Sequence, residues 1–277
     1  MIGSFRAELI KLYKRPAIWI LALVTVVSTL FWLLIYWIIK ITPQEAQTTQ
    51  SDATFTQLVS PGNTLGLALT SISGFGGAIA LILGAMTVGG EYGWNTWKTV
   101  LTQKPTRSQV FLGKLLGAAS VVAVYTLISI ATAYLDTFIV MQIEGIKADW
   151  PSIAELIRAI GAGLLIMGAW TSIGIFLATL FRGTALAVGL GLIYSLALET
   201  IMQLVAQSVS QVREFVKILI GINASQVSST FGQQLGDNSV PGSVLSVSTD
   251  RAVITLILYV VILGGLSVIL FRRQEQT

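Results

Sequence analysis

Long apolar runs separated by short polar segments dominate the pattern along this chain. Six runs carry at most one charged residue each, and every run is long enough for one helix across a membrane. A span needs about 20 apolar residues, and a charge near its centre is costly. The predicted spans cover residues 17–39, 65–88, 115–143, 159–181, 184–206 and 252–271. All six prolines lie outside the interiors of these spans, as expected because proline interrupts a helix.

Two of the polar segments predict helices that lie along the membrane surface. Residues 1–15 place Phe5, Leu9 and Leu12 on one helical face and predict an N-terminal interfacial helix. Residues 209–219 repeat apolar side chains at helical spacing, which predicts an outer amphipathic helix between the fifth and sixth spans. The following stretch, residues 221–250, is rich in Ser, Gly, Gln and Asn and predicts a flexible external loop.

The loop of residues 89–114 between the second and third spans has the most distinctive pattern. Trp94, Trp97 and Leu101 share one face of a short amphipathic helix, and Glu91 is predicted to begin that helix. Such a helix can lie under the membrane and dock a cytosolic protein, or it can be an interfacial anchor without a partner. The residues themselves leave both interpretations open.

The composition excludes most classes of soluble protein. Hydrophobic residues make up 54% of the chain and charged residues only 11%, against roughly 25% charged in soluble domains. Cys and His are both absent, which excludes disulfides, thiol chemistry and His-paired nucleophiles. We therefore predict an all-α polytopic membrane protein with six transmembrane helices, folded as a single transmembrane domain over residues 1–277.

The distribution of positive charge predicts the orientation of this protein. Most of the 17 Lys and Arg residues face the cytoplasm if both termini lie there. In that orientation Glu199 lies in the outer half of the fifth span, where an acid is a functional candidate by default. Glu199 is therefore a candidate residue of a translocation pathway.

The 89–114 loop also carries an ordered set of polar residues ahead of an apolar span. In chain order the set is Glu91-Tyr92, Thr96, Lys98, Pro105, Arg107 and Gly113-Lys114. It resembles the loop between the second and third spans in ABC-2 type permeases of the ATP-binding-cassette exporter family. Glu8-Leu9-Ile10-Lys11 before Pro16 similarly resembles the helix that leads into the first span in that family.

The resemblance implies a permease subunit that exports a lipid, drug or peptide-like substrate across a prokaryotic plasma membrane. Separate cytosolic ABC ATPase subunits would bind ATP and Mg²⁺, and a second permease chain would complete a homodimer or heterodimer. The resemblance places the contact with the ATPase on one set of residues. That set is Glu91, Tyr92, Asn95, Thr96, Trp97, Lys98, Lys104 and Arg107.

A separate ATPase subunit agrees with the absence of a nucleotide-binding motif from this chain. The sequence contains no GxxxxGK[ST] loop for binding nucleotide phosphates. We therefore expect this chain to have no enzymatic activity of its own. We also expect it to bind no cofactor, no metal and no nucleic acid.

Three other functional classes remain open from the sequence. An ion-coupled secondary transporter or channel would use Glu199. An intramembrane enzyme would need either paired acids, for which Asp136 and Glu199 are the candidates, or a Ser-Lys couple. A membrane anchor subunit that transports nothing would share the topology. Co-purification of an ATPase whose hydrolysis responds to a transported compound would separate the ABC permease from these alternatives.

Overall fold

The computed structural model describes residues 2–41, 59–93, 106–232 and 247–274. Within these ranges the regular structure is helical, and six helices are long and apolar enough to cross a membrane. These spans are Pro16–Ile38, Pro61–Gly93, Ser108–Glu144, Ile153–Phe181, Thr184–Ala206 and Thr249–Arg273. Each span overlaps the corresponding predicted run, so the all-α membrane fold and the number of spans are confirmed.

Shorter helices precede, interrupt and follow these spans. The N-terminal helix covers Ile2–Lys14, and Pro16 begins the first-span helix, which continues to Ile41. In the second span, a π-helical turn joins the α-helices Thr64–Ser71 and Gly77–Gly93. In the fifth span, a second π-helical turn joins the α-helices Thr184–Leu192 and Glu199–Ser208. The two π-helical turns are Ile72–Gly76 and Ile193–Leu198. Helices Ser210–Val216 and Ile220–Ser229 then precede the sixth span.

The third and fourth span helices begin at capping boxes encoded by the sequence. Thr106 accepts a hydrogen bond from the Gln109 amide, and the Gln109 side chain accepts one from the Thr106 amide. Ser152 and Glu155 make the same reciprocal pair. Each box satisfies amide groups that the first helical turn leaves without partners.

The helices that flank the 89–114 loop are longer than the sequence analysis predicted. The second-span helix continues to Gly93, and the third-span helix starts at Arg107, so Lys114 lies well inside a helix. The prediction that Glu91 begins a helix was wrong, because Glu91 lies in the last turn of Gly77–Gly93. Burial explains the extension, since Val88 and Glu91 continue the packed face of the span.

The predicted loop over residues 221–250 was also partly wrong, because Ile220–Ser229 is a helix. Ile220, Asn223, Ala224 and Val227 recur at helical spacing and are buried. Some of these side chains are small and one is polar. The helical repeat of apolar residues is therefore weak in the sequence, although the side chains are closely packed. The helix packs against the sixth span and the second span.

Close backbone contact between the second and fourth spans forms the centre of the bundle. A Cβ atom added to Gly174 would overlap the Leu81 carbonyl oxygen, and one added to Gly84 would overlap the Thr171 carbonyl oxygen. Only glycine at both positions lets these helices approach so closely. The spans therefore cross backbone to backbone at this point.

Gly174→Ala should destabilise the fold, because the backbone oxygen it meets cannot move away without separating the two helices. Overpacking of this kind costs about 1–3 kcal/mol or more. Gly161→Ala in the same helix is the matched control, since an added Cβ there meets nothing within 4 Å. The measurement is the midpoint of thermal unfolding in detergent. Equal midpoints for the two variants would contradict the close crossing.

Candidate functional site

A cluster of five charged residues joins the N-terminal helix to the ends of the second and third spans. We call it the charged junction and define it as Glu8, Lys11, Arg15, Glu91 and Lys114. Glu8 and Lys11 lie on the N-terminal helix and Arg15 directly follows it, whereas Glu91 ends the second span and Lys114 lies in the third.

Lys114 lies at the centre of the charged junction. Its ammonium group is 3.0 Å from both carboxylate oxygens of Glu8 and 3.0 Å from Oε1 of Glu91. It also donates to the Thr87 carbonyl oxygen at 3.2 Å. The Lys114 side chain is only 2% exposed. Lys114 therefore joins three helices through one buried cation.

Glu91 receives two further cations from the N-terminal side. Lys11 Nζ lies 3.0 Å from Glu91 Oε1, and Arg15 Nη2 lies 4.0 Å from the same oxygen. Arg15 also donates from Nη1 to the Met86 carbonyl oxygen at 3.1 Å. The Lys11 and Arg15 side chains are partly exposed, at 40% and 29%, while Glu91 is 2% exposed. The charged junction therefore has a buried centre, formed by Lys114 and Glu91, and a partly exposed edge, formed by Lys11 and Arg15.

Two glycines one helical turn apart allow this charged contact. A Cβ added to Gly113 would lie 2.9 Å from the Ser4 Cβ, and one added to Gly117 would lie 2.9 Å from the Glu8 Cγ. Because residues four apart share a helix face, the third span presents a small-residue strip to the N-terminal helix. The strip brings that helix close enough for Glu8 to reach Lys114.

The chemistry of the charged junction is suited to holding helices together. Burial of each charge is costly, and the attraction offsets this only when the geometry is good and the remaining donors are satisfied. The Lys114 ammonium meets this requirement through Glu8, Glu91 and Thr87. In the part of the chain that the structure describes, no group of three or more His, Cys, Asp or Glu residues could hold a metal ion.

The structure describes three of the eight residues predicted to contact an ATPase. Glu91 belongs to the charged junction, and Arg107 is the first residue of the third-span helix. The Tyr92 hydroxyl donates to Gln274 Oε1 at 2.7 Å, and Gln274 Nε2 donates to the Thr179 carbonyl oxygen at 2.8 Å. The remaining five, Asn95, Thr96, Trp97, Lys98 and Lys104, lie outside the described residues.

Sequence reasoning did not select Glu8, Lys11, Arg15 or Lys114 as site residues. A usable signal was present, since Glu8 and Glu91 are acids on a side of the membrane predicted to be rich in Lys and Arg. An acid among many Lys and Arg residues is expected to form an ion pair with one of them. The partners themselves depend on the packing of helices, because the paired residues are 23 to 106 positions apart in sequence.

Glu199, the predicted pathway residue, follows the π-helical turn of the fifth span and is only 3% exposed. Its two carboxylate oxygens accept from the Gly221 amide at 3.2 and 2.9 Å. Gly221 is in the first turn of the Ile220–Ser229 helix, where a carboxylate is favoured by unpaired amides and the helix dipole. The Glu199 carboxylate therefore fixes the Ile220–Ser229 helix to the fifth span.

Glu199→Leu should destabilise the protein more than Glu199→Gln. Leucine leaves a part-buried amide without an acceptor, at a cost of about 1–3 kcal/mol, whereas the Gln carbonyl still accepts. Thermal unfolding in detergent measures the difference, and Thr200→Val at the exposed neighbouring position is the control. If Glu199 also lies on a translocation pathway, Glu199→Gln changes transport at normal stability. Equal midpoints for the Leu and Gln variants would contradict the capping role.

Comparison with known proteins identifies the family of this chain. A family model described as an ABC-2 family transporter protein matches residues 4–198 of the 277-residue chain. The matched segment contains the whole charged junction and ends one residue before Glu199. A comparison with curated proteins finds no match. Because the family match covers most of the chain, the resemblance found in the sequence is confirmed, and the chain belongs to the ABC-2 family of transporter proteins.

Proposed function

We propose that this chain is the membrane-spanning permease subunit of an ABC exporter and that the charged junction receives the motion of a cytosolic ATPase. One observation carries the proposal. Glu91 lies shortly before residues 94–105 and Lys114 shortly after them, and the two side chains form one buried ion pair. A displacement of the intervening segment therefore acts on two residues of the same buried cluster.

Contacts from the same region connect a displacement to other helices. The ion pair between Lys114 and Glu8 connects it to the N-terminal helix. The hydrogen bond from Tyr92 connects it to Gln274 at the end of the sixth span, and the hydrogen bond from Gln274 connects it to Thr179 near the end of the fourth. Packed and hydrogen-bonded contacts of this kind are the physical means by which two sites can be coupled.

The energy source in this proposal is a partner chain. ATP and Mg²⁺ bind to the cytosolic ABC ATPase, whose contact surface on this chain is the set from Glu91 to Arg107 predicted above. This chain itself hydrolyses no nucleotide and binds no nucleic acid. Both termini lie in the cytoplasm of a prokaryotic cell, and the spans cross its plasma membrane.

A second permease chain completes the transporter in this proposal. Buried residues make up 22%, 17% and 11% of an apolar 18-residue stretch in the first, fifth and sixth spans, against 67% in the second span. Their exposed apolar faces suit lipid or another permease. The transported substrate is a lipid, drug or peptide-like molecule, and Glu199 remains the predicted pathway residue.

The test is coupling in reconstituted vesicles. Glu91→Gln keeps the shape of the side chain but removes the charge that holds Lys11 and Lys114. We expect substrate-stimulated ATP hydrolysis and transport to fall between about twofold and thirtyfold, the range of measured coupling effects. Insertion into the membrane should stay normal, and the ATPase should still be captured through the other residues of the predicted contact set.

Glu214→Gln is the matched control for this experiment. Glu214 is an acid outside the spans with a 71% exposed side chain, and its ion pairs with Lys217 at 2.6 Å and Arg251 at 3.9 Å include no residue of the charged junction. We expect no change in coupling from this variant. Normal coupling in the Glu91→Gln transporter would contradict the proposed function of the charged junction.

A further inference from the structure

A basic cavity lies beside the charged junction, at the same end of the bundle. Its volume is 480 Å³. The residues that define it come from the turn between the N-terminal helix and the first span, from the second span and from the start of the fifth span. They include Lys14, Arg15, Pro16, Met86, Gly90 and Thr184.

Among the described residues, the charged side chains that line this cavity are Lys14 and Arg15, and both are cations. Lys14 is exposed and forms no ion pair with another residue of the described ranges. Arg15 is held by the Met86 carbonyl oxygen and approaches Glu91 only to 4.0 Å. That carboxylate is already 3.0 Å from both Lys11 and Lys114. The cavity therefore keeps an excess of positive charge, which favours an anionic ligand.

The surroundings of the cavity indicate a lipid ligand. Tyr13 and Trp19 flank, in the chain, the segment from Lys14 to Ala17 that lines the cavity. Both are exposed, with ring centroids 5.4 Å apart, and the indole N–H of Trp19 donates to the Tyr13 carbonyl oxygen. Exposed Trp and Tyr mark the depth of lipid headgroups. Beyond them, Leu23 and Val27 continue an exposed apolar face along the first span. A headgroup in the cavity would leave its acyl chains against this face.

We propose that the cavity binds the phosphate group of an anionic phospholipid. Lys14 and Arg15 contact the phosphate, and the acyl chains lie along the first span. Basic pockets between transmembrane helices bind such headgroups through the same chemistry. Arg15 also faces Glu91, so a bound phosphate competes for the guanidinium and links the lipid to the charged junction. The binding site itself does not depend on the proposed transport function.

The test is lipid retention by the purified full-length chain in neutral detergent, measured by native mass spectrometry. Phosphatidylglycerol is titrated against phosphatidylcholine with the same acyl chains, and inorganic phosphate is added as a competitor in a separate arm. Lys14→Gln is the main variant, because Lys14 is exposed and lies outside the charged junction. Arg273→Gln, an exposed cation at the end of the sixth span, is the matched control.

We expect phosphatidylglycerol to bind more tightly than phosphatidylcholine and Lys14→Gln to weaken it about fivefold, the effect of one cation near the surface. Arg273→Gln should bind as the unchanged protein does. Equal binding of the two lipids, or no effect of Lys14→Gln, would overturn the proposal. Displacement of the lipid by millimolar phosphate would also overturn it, since the site would then recognise a free anion.

Discussion

The attraction between one buried ammonium group and two buried carboxylates is the interaction on which this structure depends. Lys114 sits where water is scarce, and leaving it without partners there would cost several kcal/mol. Glu8 and Glu91 satisfy it only if the N-terminal helix and the end of the second span both lie against the third span. The electrostatic requirement therefore fixes the positions of these three helices relative to one another.

Glycine residues allow the helices to approach closely enough for these ion pairs to form. Gly113 and Gly117 give the N-terminal helix its close approach, just as Gly84 and Gly174 give the second and fourth spans theirs. In lipid the hydrophobic effect does not drive helices together, so close backbone packing and polar contacts carry more of the association. The result is a firmly packed region around the second, third and fourth spans, with the remaining spans exposed on its flanks.

The sequence predicted the spans well because one strong constraint decides them. Charges and prolines are costly within a bilayer, and their spacing alone locates the apolar helices. The ends of the helices were less predictable, since the continuation through Glu91 depends on burial against neighbours. The Ile220–Ser229 helix was missed because Asn223 and Ser228 suggest a loop, although both are buried and hydrogen-bonded. The acceptor role of Glu199 was equally hidden, because its donor is a backbone amide.

A double-mutant cycle on Glu91 and Lys114 tests most directly whether the charged junction works as one unit. The quantity measured is the stimulation of ATP hydrolysis by substrate in vesicles that contain Glu91→Gln, Lys114→Met, or both changes. If the two side chains act through their shared ion pair, the double variant will lose little more than the worse single variant. Losses that add on a free-energy scale would mean that the two residues act separately, and would contradict the account.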